Sequence, residues 1–304
     1  MTLIKIGTRE SKLALWQAHT VAQLCAAQNI STEILPIKSE GDIDLVTPLY
    51  ALGVTGIFTR TLDAALIRGT INCAVHSYKD VPYVLADGLM IAAVLTRGAT
   101  GDVLVLRDGI NYKTDGIKLA TSSLRRRAQW LRYYPNTKFC DVRGNIQTRL
   151  RKLNDGEFDG IFFAKAALER LELLNTPNIF DIDCMLPAPA QGAIVIVCRK
   201  NDTEIYNALR KLNDYDTARC IAIEREFMHT LQGGCSAPIG ALVTFNEESG
   251  FNFKGILIES NGKNFVEVEI LNYRNDGRKE SFGQVCANEA LAKGAQKIID
   301  TFRK

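Results

Sequence analysis

Ile4-Lys5-Ile6-Gly7-Thr8-Arg9-Glu10-Ser11 opens the chain with a short strand pattern, a tight loop and a serine suited to cap a helix. The stretch that follows carries Leu13, Trp16, Val21 and Leu24 at roughly helical spacing. Orphan backbone N–H groups point out of such a strand, loop and helix start, which makes it a natural place for an anion. The design returns at Ile117-Lys118-Leu119-Ala120-Thr121, where Ser122 and Ser123 precede a helix through Arg125, Arg126, Ala128, Trp130 and Leu131. A weaker echo links a helix over 61–66, ending at Gly69 before a strand over 71–75, to a helix over 148–153, ending near Gly156 before a strand over 158–163. The reading is α/β, with two similar lobes facing each other across a cleft; chance similarity is the competing account of the echo.

Working outward, Pro187-Ala188-Pro189-Ala190 interrupts the pattern before a strand over 193–197. Helices are expected over 202–213 and 217–231, the second stopped by Gly233-Gly234. After Pro238 the chain changes character, with strands over 240–245, 251–258 and 264–271 and a last helix over 282–302. Strands in sequence followed by a helix imply a small α+β domain with a three-stranded antiparallel sheet. The expected division is 1–96 plus 193–213 for the first lobe, 97–192 for the second, and 214–304 for the α+β domain.

The composition is that of an ordinary folded chain: 304 residues, 23% charged and 46% hydrophobic. It excludes a largely disordered protein. The longest apolar runs, 90–95 and 193–198, are far too short to span a bilayer. The first residues show no apolar signal region and the last no lipidation motif, so the expected location is the cytoplasm. Eight cysteines include no C-x-x-C pair, and only three histidines are present, so reduced thiols and no metal site are expected. The net charge of +3 points to neither a nucleic-acid nor a membrane partner.

The local charge is another matter. Residues 118–152 hold ten Lys or Arg against one acid, Asp141. Most are arginines, whose planar guanidinium grips a carboxylate or phosphate with two parallel bonds. With Arg9 and Ser11 on one lobe and Thr121, Ser122 and Ser123 on the other, they imply a ligand with several anionic groups. A solvated basic helix face or an RNA-binding surface would use the same residues, although the aromatics Trp130, Tyr133 and Tyr134 lie mostly apart from the basic ones.

Two further stretches carry chemistry. In Ala74-Val75-His76-Ser77-Tyr78-Lys79-Asp80-Val81-Pro82 an apolar strand runs into a polar cluster and stops at a proline. Strand carboxyl ends are where open α/β sheets bind ligands. A turn before Pro82 would bring Lys79 and Asp80 to one side, Asp80 as acid or base and Lys79 as its charge partner or an anion holder. His76 reads as a satisfied structural histidine. In Leu231-Gln232-Gly233-Gly234-Cys235-Ser236-Ala237-Pro238, two glycines free the backbone and a proline fixes the exit, leaving Cys235 on a loop. Loop cysteines are reactive more often than core ones, though a plain buried or exposed thiol has the same local sequence.

Together these stretches resemble the porphobilinogen deaminase (hydroxymethylbilane synthase) family. The resemblance rests on Ile6-Gly7-Thr8-Arg9-Glu10-Ser11 with Leu13-Ala14-Leu15-Trp16-Gln17-Ala18; Glu40-Gly41-Asp42; the 74–82 stretch; Thr121-Ser122-Ser123-Leu124-Arg125-Arg126; Arg143-Gly144-Asn145-Ile146-Gln147-Thr148-Arg149; Gln191-Gly192-Ala193; and Gly233 to Gly240, in that order over nearly the whole chain. It implies two periplasmic-binding-protein-like lobes and a third domain carrying a covalent dipyrromethane cofactor on Cys235. The implied reaction joins four porphobilinogen molecules head to tail with loss of four ammonia molecules, and water then releases hydroxymethylbilane.

The resemblance also implies roles. Asp80 is the catalytic carboxylate, stabilising positive charge on the pyrroles and relaying protons. The cofactor is held by Lys79, Asp80, Ser11, Thr121, Ser122, Ser123, Arg125, Arg126, Arg143 and Gly144, and substrate by Arg9, Ser11, Arg149, Arg170 and Gln191. Each ring brings an acetate and a propionate, which accounts for the arginines. The implied partner is porphobilinogen alone, and the chain is expected to act as a monomer. The departures are Thr55 in place of a usual Lys, Asp63 in place of Glu, and Ala167 in place of Gly near Arg170. A non-catalytic two-lobed anion-binding domain would explain the lobes and arginines but not the Gly-Gly-Cys loop.

Overall fold

The computed structural model describes residues 3–38, 59–175, 178–233, 237–274 and 280–302. The chain begins with β1 (Ile4–Thr8), α1 (Lys12–Ala27), β2 (Thr32–Pro36), α2 (Arg60–Ile67), β3 (Cys73–Ser77) and β4 (Leu89–Val94). It then crosses over to build β5 (Asp102–Leu106), β6 (Lys118–Ala120), α3 (Leu124–Leu131), β7 (Lys138–Cys140), α4 (Ile146–Asn154), β8 (Gly160–Ala164), α5 (Lys165–Glu169) and β9 (Ile179–Ile182). It crosses back as β10 (Ile194–Arg199), followed by α6 (Thr203–Leu209) and α7 (Tyr215–Thr230).

The echo in the sequence is an echo in topology. One sheet has the order β2-β1-β3-β10-β4 and the other β7-β6-β8-β5-β9. In each, the first three strands are parallel and the last two are antiparallel to their neighbours. The fourth strand of each sheet starts beside a crossing, β5 after the first and β10 after the second. The lobes are therefore joined by two antiparallel segments. β5 and β8 are buried along their whole length, which fits their unbroken apolar runs.

At the crossings the two backbones lie against each other. The Gly98 amide donates to Gly192 O at 3.0 Å. Gly192 has φ +88, and a Cβ there would sit 2.6 Å from Ala99 O. Only glycine meets both conditions at once.

The third part of the chain is a meander of β11 (Ile239–Asn246), β12 (Gly250–Ile258) and β13 (Phe265–Tyr273), covered by α7, α8 (Phe282–Ala292) and α9 (Ala295–Phe302). Its core centres on Phe227 of α7 and Phe253 of β12, whose ring centroids are 4.8 Å apart. The fold is thus two α/β lobes of matching strand order plus a small α+β unit with a three-stranded antiparallel sheet. Two helix expectations change. The span 282–302 is two helices, broken at Lys293-Gly294, and the span 202–213 is α-helical only to Leu209 before a 3-10 turn over Arg210–Leu212.

Candidate active site

β3 is buried until Ser77 and then passes into a 3-10 turn, Tyr78–Asp80. The turn is pinned to the start of β10 by the Tyr78 amide, which donates to Ala193 O at 3.0 Å. Lys79 points across the lobes: its Nζ donates to Gln191 Oε1 at 3.1 Å. Asp80, half-buried, has its carboxylate close enough to Lys79 and Arg149 to act on both. Burial lowers the Lys79 ammonium to about 8, with Arg126 and Arg125 pushing the same way and Asp80 and Asp102 opposing.

Arg125 and Arg126 lie in the first turn of α3, and both are buried. A guanidinium out of water needs a counter-charge, and Asp102 at the start of β5 provides it. Arg125 Nη1 donates to Asp102 Oδ2 at 2.7 Å and to Leu186 O at 2.7 Å. Arg126 donates to Asp102 Oδ1 through Nη2 at 2.8 Å and Nε at 3.1 Å, and to Phe162 O through Nη1 at 3.2 Å. The pair expected to hold the cofactor thus forms an ion triad with Asp102. Burial alone would raise the Asp102 carboxyl, but the two guanidiniums outweigh it and hold the group far below the carboxylate range.

Gln191 is fully buried, and its Nε2 donates to Thr100 O at 2.7 Å, Gly101 O at 3.1 Å and Asp102 Oδ1 at 3.0 Å. With its amide nitrogen on the first crossing and its oxygen on Lys79, Gln191 ties the hinge to the 78–80 turn.

The remaining cations gather from both lobes. Asn145 caps α4, accepting from the Thr148 amide at 2.9 Å. Before it, Gly144 takes φ +105, where an added Cβ would meet Thr148 Cγ2 at 2.8 Å. Gly144 O accepts from Arg149 Nε at 2.8 Å, which aims the guanidinium back over the loop. Burial, with Arg126, Arg143 and Arg9 adding to it, lowers Arg149 to about 10, while Asp80 works against the shift. Arg9, Lys79, Arg125, Arg126, Arg143 and Arg149 therefore share one field, in which Asp80 and Asp102 are the acids that act on Lys79 and Arg149 among the described residues. A gathering of cations from two lobes fits a bound polycarboxylate, and so fits a dipyrromethane with two carboxylates on each ring.

The hydroxyls have local duties. Ser11 caps α1, accepting from the Ala14 amide at 3.3 Å, and Ser123 caps α3, accepting from the Arg126 amide at 3.4 Å. Thr121 Oγ1 accepts from the Ser123 amide, and Ser122 Oγ donates to Val142 O, each within 3.1 Å. They shape the two helix starts. Arg170 stands apart from the cation group. Its Nη2 donates to Gly192 O at 2.6 Å, and its guanidinium lies 5.6 Å from the Trp16 ring of α1, bridging the lobes at the hinge. His76 is buried, and burial together with Arg9 lowers it to about 4. Its Nε2 has no hydrogen-bond partner among the described residues, which differs from the satisfied histidine expected. Cys235, Gly41, Asp42 and the 43–58 loop with Thr55 lie outside the described residues.

The family model described as porphobilinogen deaminase, dipyromethane cofactor binding domain, matches residues 4–207, and that described as porphobilinogen deaminase, C-terminal domain, matches residues 218–292. The chain belongs to the porphobilinogen deaminase family. The porphobilinogen deaminase of Syntrophotalea carbinolica is 37% identical over 301 residues, 97% of this chain and 95% of that protein. That of Desulfitobacterium hafniense is 38% identical over 309 residues, 100% of this chain and 98% of that protein. Among solved structures, the periplasmic VFT2 domain of Bordetella pertussis BvgS is similar with a TM-score of 0.42 and 15% identity, over 69% of this chain and 86% of that one. Among the described residues no helix is long and apolar enough to cross a membrane.

In this member of the porphobilinogen deaminase family, sequence reasoning missed four charged residues around the site. Asp102 heads the apolar run of β5. Arg97, in the first crossing, donates to Glu224 of α7 through Nη1 at 2.5 Å and Nη2 at 3.0 Å. Glu224, fully buried, also accepts from the Ala190 amide and the Val243 amide, both at 2.8 Å. One carboxylate thus joins both crossings to the sheet of the third domain. Arg225 follows it. A signal was present: Glu224-Arg225 interrupts the apolar face that Ile221, Phe227 and Met228 mark on α7.

Proposed function

We propose that this chain is a hydroxymethylbilane synthase, condensing four porphobilinogen molecules head to tail with loss of four ammonia molecules, after which a water molecule cleaves the bond to the cofactor and its hydroxyl ends the released linear tetrapyrrole. The observation that carries the reading is the cluster of six cations that two lobes bring together around Lys79 and Asp80. The dipyrromethane, joined to Cys235 by a thioether, supplies the free pyrrole position from which the product is built. Arg9, Arg143 and Arg149 bind acetate and propionate groups, with donors of Arg125 and Arg126 beyond those that Asp102 occupies. Lys79 holds a further carboxylate while it is protonated. Asp80 accepts hydrogen bonds from pyrrole N–H groups, stabilises the positive charge that follows ammonia loss, and carries protons to the leaving amine and from the attacked ring. Porphobilinogen is the only partner in this reading, and the chain acts as a cytoplasmic monomer.

Intact mass of the purified protein, with peptide mapping of the Cys235 segment, tests the proposal. The expected result is an excess equal to two porphobilinogen units, each less one ammonia, on Cys235, and a colour reaction with Ehrlich's reagent. A folded protein whose mass stays bare after incubation with porphobilinogen would overturn it.

A further inference from the structure

The turn that carries Lys79 and Asp80 belongs to the first lobe, but its outer side is held by the third domain. Three successive features of the backbone there face α7. Tyr78 O and Val81 O accept from Arg225 Nη1 at 3.3 and 3.0 Å, and Pro82 O accepts from Arg225 Nη2 at 2.7 Å. These carbonyls flank Asp80 on both sides. The guanidinium is buried and lies 4.5 Å from the Tyr78 ring. Ile221, one turn earlier on α7, packs among Tyr78, Val81 and Ala193. One turn later, His229 stacks on Tyr83 with ring centroids 3.9 Å apart and planes 11° apart.

Adjacent helical residues diverge by about 100°. Glu224 therefore takes the hinge and the third domain's sheet, and Arg225 takes the turn. Only an arginine fork reaches three carbonyls from one side; a lysine offers a single nitrogen. We propose that Arg225 is a positioning residue for the reaction: it fixes the backbone on both sides of Asp80, and through α7 it couples the placement of that carboxylate to the third domain. The inference rests on the reading of Asp80 as the catalytic carboxylate.

The test uses dipyrromethane-loaded enzyme, with loading checked by intact mass, and measures kcat, KM and the single-turnover rate of adding the first porphobilinogen in R225M, R225K and D80N. A misplacement near 1 Å at a reacting group costs about a hundredfold in rate. R225M is therefore expected to lose between tenfold and a hundredfold in the single-turnover rate per loaded enzyme, with KM within about twofold of wild type. R225K, which keeps the charge and loses the fork, is expected to fall between R225M and wild type. A purely structural role would lower the thermal midpoint and the loaded fraction while leaving the rate per loaded enzyme intact. A wild-type single-turnover rate in R225K, or in R225M where it folds, overturns the proposal. The D80N arm separates the two readings: a normal rate there removes Asp80 from the mechanism, whereas a dead D80N beside a normal R225K removes only the coupling.

Discussion

Asp102→Asn is the most informative single change to the fold of the cleft. The wild-type carboxylate is fully buried and takes four donors: one from Arg125, two from Arg126 and one from Gln191. An amide keeps one acceptor and turns an N–H₂ group toward a guanidinium or the Gln191 amide. Two buried guanidiniums then lose their common counter-ion, and removing one member of a buried pair costs about 3–5 kcal/mol. Because the loss is shared by two arginines, the upper half of that range is expected. A chain of this length unfolds with an entropy of roughly 0.6 kcal/mol per degree, so the midpoint should fall by about 6–8 °C. The pH dependence gives a second readout. The Asp102 carboxyl is held below its ordinary value, so its stabilisation is complete above about pH 4 and is lost as pH falls through the folded value. The gap between wild type and D102N should be constant from pH 7 to about 5 and should narrow in stronger acid. Urea unfolding followed by far-UV circular dichroism measures both. A loss under about 1 kcal/mol at pH 7, or a gap that stays constant into strong acid, would refute the account of the triad.

Three further outcomes are expected. Asp80→Asn should leave the thermal midpoint nearly unchanged, because no hydrogen bond to the carboxylate appears among the described residues, while kcat drops by about a hundredfold or more; near-normal turnover would exclude Asp80. Lys79 loses its proton at about 8, so KM for porphobilinogen should rise as pH passes that value; a flat KM from pH 7 to 9 would show that Lys79 does not hold a substrate carboxylate. Arg149→Leu removes a half-buried cation aimed by Gly144 O and should make the enzyme accumulate at a particular bound intermediate; an unchanged distribution of intermediates by native mass spectrometry would exclude that role.

The architecture was legible because its signals are local and repeated. The strand, loop and capped helix at Ile4–Ser11 and Ile117–Ser123 differ in sequence but share the same alternation of apolar, small and hydroxyl residues, and the two sheets repeat the same strand order. The turn before Pro82 was legible for a similar reason, since a proline forbids the strand from running on. The commitments of the charged residues were not legible. Arg125 and Arg126 read as anion-binding groups because nothing within a few residues of them answers their charge, while Gln191 is named only through the family resemblance. Their answer, Asp102, lies more than twenty residues from Arg125 and nearly ninety from Gln191. Glu224 and Arg225 reach equally distant partners, and only tertiary packing brings those partners within bonding distance.

The two acids of the cleft show how environment divides identical side chains into different roles. Asp102 is buried between guanidiniums and bonded on both oxygens, so it is fixed in its ionised form and neutralises charge without being able to take up a proton near neutral pH. Asp80, half-buried at a pinned turn, meets Lys79 and Arg149 only through their field. A carboxylate placed like that can trade hydrogen bonds with a passing pyrrole at little cost, which Asp102 cannot. The cations that the two lobes bring together repel one another, as the lowering of Lys79 by Arg125 and Arg126 and of Arg149 by Arg126, Arg143 and Arg9 shows, and each ligand carboxylate that enters adds counter-charge. A bound polycarboxylate should therefore make the loaded protein more stable than the bare one, by an amount set by ligand affinity.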